Sequence, residues 1–185
     1  MLRVLRSITL VAVGAAVVLV AQAAVSVTPA TLSGKSVTGI KIVRHATPVS
    51  FTDDGGATAW TDIPGARASI AIPAATQGIL LVRFSGSSNC NGGITDGQDQ
   101  CFVRILVNGV EADPVTDTGV ASFDSNNANT RSASAYYALS IDRSAGPLGP
   151  NTYVVKAQAM VSDSLCCLVT FSLANYTMVV ERIKA

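Results

Sequence analysis

Aromatic residues and surplus charge are both scarce in this chain of 185 residues. Only 5% of the residues are aromatic, with a single tryptophan, which argues against the broad aromatic platforms that many sugar-binding domains use. Lysine and arginine number 13 against 12 acidic residues, so the chain lacks the basic excess that nucleic-acid binding requires. Glycine and proline occur at ordinary levels, which excludes a collagen-like or disordered chain.

Long hydrophobic runs are absent except at the N-terminus. There Arg3 and Arg6 precede an almost wholly apolar stretch that ends in Ala21-Gln22-Ala23, the small-x-small cleavage pattern of a secretory signal peptide. The stretch is short for a membrane span of about 20 residues, and an uncleaved signal anchor is the alternative. We predict a signal peptide over residues 1–23, a flexible lead-in over 24–36, and a secreted or extracytoplasmic protein with no membrane span after cleavage.

Beyond residue 36 the chain consists of short apolar runs with a period near two, bounded by turn residues. Asn108-Gly109 is the strongest hairpin signal, because a type I′ turn needs positive φ at both central residues. Residues 78–85 are more continuously apolar than the other runs, through Ile79, Leu80, Leu81, Val82 and Phe84, which predicts burial on both faces. Residues 146–151 are predicted to be a loop. About nine or ten short strands predict an all-β domain over residues 37–185, either an antiparallel sandwich or a barrel.

The four cysteines fit an exported protein with disulfides. Cys90 and Cys101 flank a polar loop between two predicted neighbouring strands, so we expect them to pair. Cys166 and Cys167 then remain together with their pairing open, and the two other connectivities would tie the 90–101 loop to the last hairpin. Zinc is disfavoured because the closely spaced cysteine pairs of structural zinc sites are missing.

Residues that could carry chemistry are few. The one histidine, His45, is expected in an exposed loop. The sequence contains no nucleophile-elbow motif, so we assign no catalytic residue. Most acidic residues lie at predicted turns, where aspartate caps its own backbone. Two polar loops supply the candidate ligand or Ca²⁺ residues, although the calcium-loop pattern lacks its central glycine and closing glutamate. These candidates are Asp96, Asp99, Asp124 and Asn126. No other cofactor is predicted.

Three aromatic residues are candidates for an exposed ligand surface: Trp60, Tyr136 and Tyr137. A lone tryptophan is a large apolar contribution in a domain of this size, so Trp60 is expected to pack in the core or cap its edge. Strand alternation turns one of the two adjacent tyrosines outward. Sugar binding through the polar loops 91–100 and 124–131 is a separate hypothesis.

Several segments resemble those of known bacterial proteins. WTDIPG (60–65), ASIAIP (68–73) and ILLVRF (79–84) resemble jelly-roll sandwiches of secreted and phage-associated proteins, and CFVRILVNGV (101–110) and YTMVVE (176–181) resemble an uncharacterised exported family. The resemblance implies a jelly-roll-like antiparallel β-sandwich and no particular activity. The implied architecture is distantly similar to C1q/TNF-like modules, which assemble as trimers.

These observations predict an exported, non-catalytic β-sandwich with a binding or surface-assembly role. The expected partners are a glycan or a protein at the cell surface, with no nucleic acid, and a homo-oligomer is left open. The alternatives are a carbohydrate-binding or adhesive module and a hydrolase that uses carboxylates at turns.

Overall fold

The structure, a computed structural model, describes residues 36–53, 59–91, 100–116, 123–125, 136–162 and 168–185. These residues form the strands β1 (Val37–His45), β2 (Val49–Asp53), β3 (Thr61–Ile72), β4 (Gly78–Asn91), β5 (Gln100–Val107), β6 (Val110–Glu111), β7 (Asp124–Ser125), β8 (Tyr137–Leu148), β9 (Asn151–Ser162) and β10 (Val169–Lys184). The described segments contain no helix with the length and hydropathy of a membrane span. The predicted signal peptide and residues 24–35 of the lead-in lie outside them.

The strands form two antiparallel sheets. Sheet A has the order β1-β10-β4-β8, with β2 pairing beside β1 along β10, and sheet B has the order β3-β9-β5-β6, with β7 also pairing β5. We count β1 and β2 as one strand, and β6 and β7 as another, which leaves eight strands in two sheets of four. The first of these strands then lies beside the last, and the chain crosses repeatedly between the two sheets. This is jelly-roll connectivity, which confirms the predicted antiparallel β-sandwich.

The core lies between the sheets and follows the alternation of each strand. In β5, Cys101, Val103, Ile105 and Val107 face inward and are buried, as the sequence pattern predicts. The turn after β5 has φ angles of 49° at Asn108 and 84° at Gly109, which confirms the predicted hairpin.

Two details of the predicted strands are wrong. Residues 78–85 are not buried on both faces, because Leu81 and Arg83 project from the open outer face of sheet A. The segment 146–151 is not wholly a loop, because β8 continues through Pro147 to Leu148. Sheet A ends with β8, where a proline without an N–H group is tolerated.

A bulge in β3 brings this strand over the end of β1. The register with β9 shifts between Asp62 and Arg67, and Gly65 has a φ of 74° at the bend. A Cβ atom at Gly65 would lie 2.8 Å from Cδ2 of His45. The bend therefore needs glycine both for its conformation and for the close approach of the histidine ring.

We expect Gly65→Ala to lower the free energy of unfolding by about 1–3 kcal/mol, because it combines an unfavourable φ with a steric clash. The clash is not easily relieved, since His45 is held by a ring stack and a hydrogen bond. Chemical denaturation measures the effect. Gly109→Ala isolates the cost of positive φ, because a Cβ atom there would meet no described atom within 4 Å, whereas Gly149→Ala has neither constraint. Equal stability of the Gly65 and Gly149 variants would contradict the prediction.

Candidate functional site

His45 belongs to a structural contact. It ends β1, and its ring stacks on Tyr176 with centroids 4.9 Å apart. Its Nδ1 donates to the carbonyl oxygen of Thr47 at 3.0 Å, and the Tyr176 hydroxyl donates to the carbonyl oxygen of Pro64. Burial raises the pKa of Tyr176. The expected exposed loop histidine is therefore wrong: His45 is half-buried because the strand end places its ring against Tyr176.

The structure joins Cys90 and Cys101 in the disulfide that their spacing predicts, with Cα atoms 5.9 Å apart. Both residues are buried and link β4 of sheet A to β5 of sheet B. Cys166 and Cys167, whose pairing the sequence leaves open, lie outside the described residues.

Of the candidate Ca²⁺ residues, the structure describes Asp124 alone, and Asp96, Asp99 and Asn126 lie outside the described residues. Asp124 lies in β7 and not in the polar loop that the sequence predicts. It is almost fully buried because β7 pairs with β5, and its Oδ2 accepts a 2.5 Å hydrogen bond from the Ser88 hydroxyl. The described parts of the chain contain no group of three or more residues arranged to hold a metal ion.

A charged groove of about 390 Å³ crosses the outer face of sheet A. Its lining includes the apolar residues Leu81 and Val179 and five charged residues, which are Arg83, Asp113, Asp142, Arg143 and Glu181. Arg83 Nε donates to Asp142 Oδ1 at 2.7 Å, and this hydrogen bond raises the pKa of Arg83. The groove thus offers apolar contacts between charges of both signs.

An apolar band continues from this groove to the margin of sheet A. We define it as Ile40, Ile42, Leu81 and Val179. Register places Ile42 beside Val179 and Arg83, and Ile40 beside Glu181 and Leu81. Ile42 remains 54% exposed. Exposed apolar residues that form a contiguous patch commonly mark an interaction surface.

A second arrangement lies on the outer face of sheet B. Trp60, just before β3, is half-buried, and the guanidinium of Arg104 lies 4.3 Å from its ring centroid. Gln158 Oε1 accepts from Arg104 Nε at 2.9 Å, and Gln158 Nε2 donates to Asp62 Oδ1 at 2.6 Å. Lys156 Nζ donates to the same Asp62 oxygen at 2.7 Å, and this bond, ahead of the one from Gln158, lowers the pKa of Asp62.

Of the two positions expected for Trp60, in the core or at its edge, the core position is wrong, because the ring lies over the outer face of sheet B against a cation. The two tyrosines differ as alternation predicts: Tyr136 is 52% exposed and Tyr137 is half-buried.

Comparison of the chain with family models, with curated proteins and with solved structures finds no match.

The residues that organise both surfaces were not among the candidates from sequence. Arg83 and Asp142 are 59 positions apart, and Arg104 and Gln158 are 54 apart. The alternation of apolar and polar residues along a strand predicts that such polar side chains point outward. Strand order, which brings each pair together, is not contained in that signal.

Proposed function

We propose that this chain is an exported, non-catalytic β-sandwich that acts by binding and surface assembly, with the outer face of sheet A as the surface on which copies associate. The observation that supports it is the exposed apolar band beside the charged groove. An apolar centre with a charged rim is the usual anatomy of a protein interface.

A second copy of the chain is the partner that this face fits best. The face carries both Arg83 and the carboxylates of Asp142 and Glu181, so it holds the opposite charges that an identical face would meet. A twofold contact uses the same patch on both subunits and requires such self-complementarity.

A binding role also fits the state of the ionisable groups among the described residues. Asp142 is ion-paired with Arg83, Asp62 with Lys156, and His45 is stacked on Tyr176. A general base needs a lone pair that can reach the proton that it abstracts, and structural partners take up part of the hydrogen-bonding capacity of these groups.

We expect Ile42→Glu to convert an assembled protein into a monomer, because it would bury a carboxylate within the apolar band of the contact. The measurement is size-exclusion chromatography with light scattering on protein recovered after export, whose first residue is expected to be Ala24. The unchanged protein should show a mass of at least two chains.

The control is Val110→Glu, which places the same charge at a residue of the β5–β6 hairpin that is 72% exposed. It should leave the assembly intact. A monomeric unchanged protein, or equal loss of assembly in both variants, would refute the proposed contact. If the protein is a monomer and binds a different protein through Ile42, that protein and not a second copy is the partner of this face.

A further inference from the structure

The outer face of sheet B holds a preorganised set of side chains with no role in the proposed assembly. We call it the Trp60 site, and it consists of Trp60, Asp62, Arg104, Lys156 and Gln158. Asp62, Gln158 and Arg104 lie opposite one another on three neighbouring strands, β3, β9 and β5. The register of sheet B therefore fixes them in one row.

Hydrogen bonds hold this row in place. Gln158 is nearly buried, and its Oε1 accepts hydrogen bonds from Arg104 Nε at 2.9 Å and from Arg104 Nη2 at 2.7 Å. Its Nε2 donates to Asp62 Oδ1. Arg104 Nη1 also lies 3.7 Å from Glu111 Oε2, and the Arg104 guanidinium stacks against the Trp60 ring. The tryptophan ring is thus fixed by a cation that is itself fixed from two sides.

The outer end of the row keeps hydrogen-bonding capacity. The Asp62 side chain is 55% exposed, and among the described residues its Oδ2 accepts only from Lys156, at 3.0 Å. A carboxylate oxygen offers two lone-pair positions, and the Lys156 ammonium has three donors, of which two serve Asp62. One acceptor and one donor therefore remain side by side near the start of the strand that follows Trp60.

Charge selects the kind of ligand. Arg104 and Lys156 are matched by the carboxylates of Glu111 and Asp62, and a third cation, Arg67, lies opposite Lys156 and also acts on the Asp62 carboxyl. This surplus of one positive charge disfavours an ammonium group, and the exposed carboxylate of Asp62 disfavours a phosphate at the same place. An aromatic ring beside a paired acceptor and donor suits a neutral, polyhydroxylated ring, whose C–H face covers the indole while two adjacent hydroxyl groups bond Asp62 and Lys156.

We propose that the Trp60 site binds a neutral pyranose unit of an oligosaccharide. Trp60 supplies the stacking surface, Asp62 and Lys156 bond neighbouring hydroxyl groups, and Arg104 and Gln158 position the other three. The site lies on the sheet opposite to the apolar band, so it does not depend on the proposed assembly. If copies do associate through sheet A, several such sites become linked and bind a polymeric sugar more tightly.

The single tryptophan makes the site directly observable, because all indole fluorescence of the chain comes from Trp60. The secreted protein is titrated with tetrasaccharides of glucose, of N-acetylglucosamine and of galactose, and calorimetry repeats each titration. At least one sugar should give a saturable change in emission with a matching heat of binding. No change with all three would overturn the proposal.

Variants locate the binding. Trp60→Ala and Asp62→Asn should each weaken the calorimetric affinity at least about tenfold, as expected for central contacts. The matched control is Tyr136→Ala, which removes another exposed aromatic ring and should keep the affinity within about twofold. Thermal melting checks that every variant is folded. Unchanged affinity in folded Trp60→Ala and Asp62→Asn would place the sugar elsewhere and overturn the site.

Discussion

Replacing Phe84 with alanine should lower the free energy of unfolding by about 3–5 kcal/mol, the largest effect that we expect from one substitution. The side chain is completely buried, and its ring contacts Tyr176 and Phe123 at centroid distances of 5.8 and 6.0 Å. Truncation removes apolar burial and leaves a cavity between two rigid rings that cannot close it. Urea denaturation, followed by circular dichroism, measures the loss.

The size of this effect comes from an unbroken chain of six rings through the core. It contains four of the five phenylalanines and runs through His45, Tyr176, Phe84, Phe123, Phe171 and Phe51. Aromatic residues are scarce in the sequence, and the fold concentrates them in one place. Neighbouring rings at such distances stabilise each other beyond the area that they bury.

Phe84→Leu is the second variant, since it keeps most of the volume and should cost only about 1 kcal/mol. Val115→Ala, at an exposed position of the same protein, should stay within about 0.5 kcal/mol. If Phe84→Ala cost no more than the Val115 variant, the ring could not lie in the centre of the core.

The fold class could be predicted because short sequence patterns determine the strands and turns that define it. Alternation in β5, the turn at Asn108-Gly109 and the short loop between Cys90 and Cys101 each predict a local structure that the fold contains. A side-chain period of two leaves a strand little choice once one face must be buried. The resemblance supplied the jelly-roll connectivity, which alternation alone does not distinguish from a barrel.

The errors arise where distant segments decide the environment. Asp124 is in a polar stretch, yet pairing with β5 carries it beneath Ser88, 36 positions away. Leu81 lies in a continuously apolar run, yet it stays 37% exposed on the outer face of sheet A. Burial of these side chains depends on strand order, which local patterns do not contain.

The Trp60 site shows the same limit for function. A lone tryptophan suggests core packing on grounds of area alone. What places Trp60 outside is Arg104 on another strand, which offers its guanidinium to the ring. Such contacts across a sheet can be recognised only when the register is known.

Removing the disulfide with Cys90→Ala and Cys101→Ala together should lower the free energy of unfolding by about 3 kcal/mol. The bond closes a loop with a sequence separation of 11, and opening it enlarges the set of conformations of the unfolded chain. Both residues also lie where β4 of sheet A meets β5 of sheet B, beside the β7 contact in which Phe123 N–H donates to the Cys101 carbonyl oxygen. Urea denaturation of the double variant measures the loss.

The unchanged protein, reduced while unfolded and kept in reductant, provides the matched control. If the bond acts mainly on the unfolded chain, the reduced protein and the double variant should unfold at similar urea concentrations. Intact mass with and without reduction identifies the bond, because the double variant should show one disulfide fewer. The same number of disulfides in both proteins would show that Cys90 and Cys101 are not joined, and a loss below about 1 kcal/mol would contradict the expected stabilisation.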